Sequence, residues 1–152
     1  MKIAQGIVCG PWALAFSFDW ARQIVEEFEI SAIPKSPVWL LGAVNVEGNI
    51  IPVIDVAAYF SPNAANLSVS PHQRILVGGL KAGSADDAVA LMFNGLPQQL
   101  NYDPQDLTYA TALPPKLREV CAAVACDLSG CNFLEIDVEK LMAALADELS
   151  LQ

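Results

Sequence analysis

Residues 39–56, WLLGAVNVEGNIIPVIDV, place an acid and a glycine at the centre of an apolar stretch. Either a chemical group stands there, or the stretch is a hairpin built to be packed and touched. Val44 and Val46 share one face of an extended strand, and Ile50 to Ile54 run back. Glu47 and Gly48 supply the permissive backbone of a tight two-residue connection. Pro52 has no N–H to donate, so its strand is expected at a sheet edge, or with that nitrogen turned away from its neighbour. Asp55 precedes VAAYF and is expected to cap a short helix there, its carboxylate accepting from N–H groups that lack an intrahelical partner.

Moving outward, the chain repeats itself. GNIIPVIDV from Gly48 and GCNFLEIDV from Gly130 both carry Ile-Asp-Val at the same distance from a glycine. ALAF at 13–16 matches ALMF at 90–93, and AIP at 32–34 matches ALP at 112–114, in the same order. Together these weak matches predict two similar subdomains, about 1–62 and 74–150, within a single domain spanning 1–152. The connector, about 61–73, reads SPNAANLSVSPHQ.

In the first half, IAQGIVC and WALAFSF are expected as strands around the Gly-Pro break. DWARQI is expected to start a helical turn with Asp19 as N-cap, and VEEFEI to continue as a half-buried strand through Phe28 and Ile30. The boundary between the two stays open. In the second half, RILVGGL and AVALMF are strands around the polar tip KAGSADD. YDPQDL is a turn capped by Asp103 with Pro104 at the first helical position. VCAAVACDLSGCNFLEI is a hairpin, and Asp137 caps the last helix. There Val138, Leu141, Met142, Leu145 and Leu149 form one apolar stripe that packs against the sheets. The fold class is therefore mainly β: two similar five-stranded barrels packed along a seam, with short helices and a C-terminal helix.

Composition bounds the function. The chain has 152 residues, 54% apolar and 16% charged, with a net charge of −9. Such a balance excludes disorder and argues against nucleic acid or an anionic membrane surface as partner. No uncharged apolar run reaches the ~20 residues of a bilayer span, and MKIAQGIVCG is too weak for a secretory signal, so a cytoplasmic location is expected. Cys9, Cys121, Cys126 and Cys131 form no C-x-x-C pair, and His72 lies far from them in sequence, so no metal site is expected. The four are assigned as small, semi-buried thiols; if Cys126 and Cys131 flank a hairpin loop, they can face one another across two strands and oxidise in vitro, while a reducing cytoplasm keeps them thiols.

No catalytic motif is present, and no cofactor signature. Asp55 and Asp137 sit in equivalent places, yet each immediately precedes a helix and lacks the D-T/S-G setting of a paired-aspartate site, so both are assigned as caps. The cluster Glu26, Glu27 and Glu29 is assigned to a solvated edge. No catalytic residue is assigned, and the protein is not expected to be an enzyme.

The stretch IPKSPVWLLGAVNVEGNIIPVIDV resembles the CheW-like family of chemotaxis adaptors, whose signature runs VxNLRGxxxPVxDL after a Pro-bearing loop, an aromatic and a glycine. The matching residues are Pro37, Trp39, Gly42, Val44, Asn45, Gly48, Pro52, Val53, Asp55 and Val56. RILVGGL, YDPQDL and IDVEKLM resemble the second half of the family in order and spacing. The resemblance implies two SH3-like barrels and a non-catalytic adaptor joining a chemoreceptor cytoplasmic tip to the regulatory domain of a CheA-type histidine kinase. It implies partner contacts at Val44, Asn45, Val46, Glu47 and Gly48. The alternative is a stand-alone regulator that binds the kinase without bridging to receptors. Glu47 stands where the family carries Arg, and the short N-terminus and the acidic tip at Asp86 and Asp87 also depart. The reversed charge points to a divergent chemosensory pathway, such as twitching or gliding motility, with compensating charge on its partners; the alternative is that Glu47 is simply solvated at the turn.

Overall fold

A computed structural model gives the fold over residues 2–61, 73–79, 87–106, 113–126 and 132–150, the residues described below. Among them the elements run β1 (Lys2–Cys9), β2 (Trp12–Ser17), β3 (Ala21–Val25), β4 (Leu40–Val46), β5 (Asn49–Ile54), α1 (Val56–Phe60), β6 (Gln73–Gly78), β7 (Val89–Gln105), α2 (Pro115–Val120), β8 (Cys121–Cys126), β9 (Asn132–Ile136) and α3 (Val138–Ser150).

Strand pairing closes two five-stranded barrels that share β7. In the first, β1 pairs antiparallel with β2 and with β7, β2 pairs in parallel with β9, and β9 with β8. The end of β7 then meets β8 and completes the ring. In the second, β3 pairs with β6, β6 with the start of β7, β7 in parallel with β5, and β5 with β4. Ser31, beyond β3, bridges Ala43 on β4 through two 2.9 Å backbone hydrogen bonds and closes that side. Gly42 makes this closure possible: its φ is +147°, and a Cβ there would lie 2.3 Å from the Ser31 carbonyl oxygen.

These strand sets do not follow the two stretches of sequence, 1–62 and 74–150. β1 and β2 join β8 and β9 from the far end of the chain, while β3, β4 and β5 join β6 and the start of β7. The duplication is present but exchanged. The strand containing ALAF runs parallel to the hairpin strand ending FLEI, and the strand containing ALMF runs parallel to the one ending IPVI. The two hairpin strands have nearly the same pattern, so sequence alone offers each leading strand two equivalent partners.

Burial explains the apolar composition. Ala15 points into the first barrel with Ala4, Leu100 and Phe133, whereas its neighbours Leu14 and Phe16 point into the seam. Ile75 and Val77 fill the second barrel while Leu76 faces the seam. Strands covered on both faces read as continuous apolar runs rather than alternations. Among the described residues, ten of the twelve largest fully buried side chains lie in the seam, and Ile75 and Leu100 lie inside barrels. Each contributes about 2 kcal/mol relative to exposure. Separating the barrels would therefore forfeit more than the ~10 kcal/mol net stability of a typical domain, and the two fold as one body.

Several local expectations give way to long-range pairing. DWARQI does not start a helix: Trp20 N–H donates to the Ser17 carbonyl at 3.0 Å, the chain turns, and Ala21–Val25 becomes β3 against β6. Asp19 caps nothing helical, and its own N–H donates to Ser17 Oγ at 3.1 Å. Residues 26–30 form no strand, although Phe28 and Ile30 still pack on the second barrel. Asp103, Pro104 and Gln105 are the end of β7, paired with β8, not a capped turn. The β1 pairing ends at Tyr102, so Pro104 deprives no strand on that side of a donor. Helix α2 was not expected; Pro115 at its first turn was the available signal. Pro52 lies on β5 between β4 and β7, but β7 pairs with Val53 and Ile54, so among the described residues the proline has no strand on its second side. The connector over 62–72, His72, Asp86, and the pairing of Cys126 with Cys131 lie outside what is described.

The helices are tied together at one end of the seam. Lys116 on α2 sits 4.5 Å over the ring of Tyr59 on α1 and 2.8 Å from Glu148 on α3. Burial, aided by the carboxylates of Glu148, Glu119 and Asp147, pushes the Tyr59 phenol up to about 12. Among the described residues no helix is long and apolar enough to cross a membrane.

Gly42→Ala is expected to lower unfolding free energy in urea by more than about 3 kcal/mol, because neither the backbone dihedral nor the Ser31 carbonyl can yield without opening the barrel. Tyr59 favours its neutral form when folded, so its contribution is complete below its ordinary value of 10 and is lost as pH rises through about 12. Urea midpoints across that range should fall less steeply in Tyr59→Phe than in the parent.

Candidate functional site

The hairpin that opened the sequence stands at the end of the second barrel. Val46 pairs with Asn49 and Asn45 with Ile50, leaving Glu47 and Gly48 as a two-residue turn. Both have positive φ, 52° and 88°, the geometry of a type I′ turn that matches the twist of the flanking strands. Asn45 Oδ1 accepts from Gly48 N–H at 2.9 Å and holds the turn. A left-handed backbone at a residue with a Cβ costs about 1 kcal/mol, so Glu47 occupies its position at some expense to the hairpin.

The residues expected to meet partners are divided by the pleat. Val44 and Val46 are 2% and 7% exposed and fill the second barrel, so their side chains are unavailable to another protein. Asn45, Glu47 and Gly48 are exposed. With them stands Ile50, 68% exposed and not singled out in the sequence. Its signal was available: in a two-residue hairpin Ile50 falls opposite Asn45, on the face that Val44 and Val46 leave.

Ile50 also forms one wall of a groove of about 470 Å³ between β5, the start of β7, and α3. Pro52 and Val89 continue that wall, Met142 and Leu149 form the other, and Ala143 and Ala146 leave the helix surface low between them. Among the described residues the polar side chains lining it are Asp87 and Glu139. Asp87 faces Arg22 at 4.0 Å. On α3, Leu141, Met142 and Leu145 are buried in the seam, with Val138 and Leu149 packed against it. The expected stripe thus fixes the helix, and its Met142 and Leu149 also line the groove beside Ala143 and Ala146.

Asp55 and Asp137 have matching environments. Asp55 N–H donates to the Trp39 carbonyl and Asp137 N–H to the Val120 carbonyl, both at 2.7 Å. Asp55 Oδ1 accepts from Ala58 N–H, and Asp137 Oδ1 from Lys140 N–H, both at 3.2 Å. Each carboxylate thus satisfies a helix terminus, and the two caps belong to different barrels.

Other titratable groups are held in structural roles. Burial, with Asp55 nearby, raises the Cys9 thiol well above its ordinary range, which makes it a poor nucleophile. Tyr102 donates to Glu135, which also pairs with Lys2 at 3.2 Å, in a separate cleft of the first barrel. Burial and that hydrogen bond raise the Tyr102 phenol. Among the described residues no three His, Cys, Asp or Glu side chains are grouped to hold a metal ion.

A 45-residue stretch is 40% identical to the chemotaxis protein CheW of Thermotoga maritima, a match that takes in 30% of this chain and 30% of that protein. The fold resembles the crystal structure of the scaffolding protein TtCheW from Thermoanaerobacter tengcongensis, with a TM-score of 0.72 at 18% identity, over 89% of this chain and 88% of that one. The family model for the CheW-like domain matches residues 7–146, nearly the whole of both barrels. The chain therefore belongs to the CheW-like domain family.

Proposed function

We propose that this protein is a non-catalytic scaffold of chemotaxis-type signalling, joining the cytoplasmic tip of a chemoreceptor to the regulatory domain of a CheA-type histidine kinase. The observation that carries this is the apolar groove between β5, β7 and α3 on a CheW-like fold, a surface suited to another protein rather than to turnover of a small molecule. The receptor element docks in the groove. The exposed hairpin residues Asn45, Glu47, Gly48 and Ile50 meet the adjoining partner. Work at such a site is geometric: a rigid body couples two partners, and a rearrangement of one alters the equilibrium of the other. A cytoplasmic location follows from those partners.

The acidic hairpin tip supports a divergent pathway, such as one serving twitching or gliding motility, as the protein's setting. A carboxylate at Glu47 repels a partner arranged for a positive tip, and like-charge juxtaposition discriminates more strongly than it binds. Calorimetric titration of the protein with its cognate receptor tip and kinase regulatory domain tests the scaffold role. A ternary complex is expected; binding to the kinase domain alone would favour a stand-alone regulator, and binding to neither would end the proposal.

Glu47→Arg should shift preference toward partners built for a basic tip while moving unfolding free energy by less than about 0.5 kcal/mol. Glu47→Asn serves as the uncharged control. Asparagine tolerates the left-handed backbone better, so this variant should gain about 0.5–1 kcal/mol in a urea titration.

A further inference from the structure

We infer that the open edge of β4 beside Asn45 receives an extended segment of a partner protein, and that the residue pairing with Asn45 is a lysine or arginine. This rests on the hairpin end of the second barrel being a partner face, as proposed above, and makes no use of the groove along α3.

The backbone leads there first. On the side of β4 away from β5, Ser31 and Ala43 exchange two backbone hydrogen bonds of 2.9 Å. Ala43 therefore turns its N–H and C=O away from β5. These directions alternate along a strand, so Asn45, two residues on, turns its N–H and C=O the same way. The residue placed to meet them is Glu29, two before Ser31, but residues 26–30 form no strand. Among the described residues no backbone group bonds to Asn45 on that side. A cleft of about 500 Å³ opens there instead, lined by Glu29, Ser31, Ala43, Val44, Asn45 and Ile50. An unpaired donor and acceptor at the end of a ladder are what an added strand completes. The Ser31 bridge stops such a segment from running further in, so it pairs at Asn45 and leaves past the turn at Glu47 and Gly48.

Side chains select the segment. A residue set opposite Asn45 carries its side chain on the same face of the sheet as Asn45. On that face the neighbour of Asn45 across the hairpin is Ile50, 68% exposed, and Glu29 lines the cleft with them. Lysine or arginine answers both, with its aliphatic stem along Ile50 and its charged head at Glu29. Phe28 and Ile30 pack on the second barrel, which leaves Glu27 with Glu29 on the outer side, and Glu47 stands at the adjoining turn. Glu27, Glu29 and Glu47 are exposed and make no ion pair among the described residues, whereas Glu26 is already held by Arg74 at 3.1 Å. A second copy of the chain is the wrong occupant: it carries a net charge of −9, and its own β4 edge would set the same acids face to face.

The test is an NMR titration of the full chain with three blocked peptides: one of alternating Lys and Val, one with Glu for Lys, and one with the Lys backbone nitrogens methylated. The Lys peptide is expected to move the Asn45 amide proton downfield and slow its exchange with solvent, and to bind about tenfold more tightly than the Glu peptide. Added salt should narrow that gap. Glu29→Gln should weaken the Lys peptide about threefold, the effect of one exposed ion pair. The methylated peptide, which has no N–H for the Asn45 carbonyl, should leave Asn45 unprotected. Equal binding of the Lys and Glu peptides overturns the choice of a basic residue, and equal protection by the methylated peptide overturns the backbone pairing. No change at Asn45 with any peptide at millimolar concentration overturns both. A ternary complex of the protein with intact receptor tip and kinase domain would survive that outcome, so the two readings fail separately.

Discussion

Strand β7 pairs with β5 and β6 over its first part and with β1 and β8 over its second, so a single stretch of backbone is built into both barrels. The turn between these tasks comes at Gly95, whose φ is +82°. Neither barrel can lose β7 without losing a strand from its ring, and neither can move far from the other while β7 is intact. The largest side chains reinforce this covalent constraint by meeting in the seam. Trp20 stacks on Phe16 at 5.2 Å between ring centroids, and Gly78 leaves the room its indole needs, since a Cβ there would come within 2.5 Å of the ring.

The groove inherits its shape from that constraint. One wall is β5 of the second barrel with the start of β7, and the other is α3, which follows β9 of the first barrel. Because α3 is capped by Asp137, buried along Leu141 and Leu145, and held at its far end by Lys116, the two walls are set by the same packing that makes the molecule one body. A scaffold needs this property more than it needs reactive groups. A fixed separation between two docking surfaces transmits a displacement; a loose one absorbs it.

Much of this was legible in the residues. The hairpin about Glu47 and Gly48, the caps Asp55 and Asp137, and the apolar stripe of α3 are local, and local chemistry specifies them: a turn needs positive φ, and a helix start needs an acceptor. What was not legible depends on distant partners. Residues 21–25 carry no strong strand signal, and they become β3 because β6 offers an open edge. Asp103 and Pro104 look like a helix start, and they extend a strand because β8 lies alongside. The exchange of leading strands between barrels was hidden for the same reason, since two hairpin strands of like pattern make the alternative pairings equivalent on paper. Ile50 was overlooked because an apolar run gives no inside or outside until its register is counted from the turn.

Native-state hydrogen exchange in graded urea probes the unity of the two barrels most directly. If β7 and the seam bind them into one cooperative body, the slowest amides of β2 and β9 and those of β5 and β6 should open with the same free energy and the same urea dependence. Amides of one barrel opening at distinctly lower free energy and smaller urea dependence, while the other stays protected, would show two independent units and contradict the fixed groove.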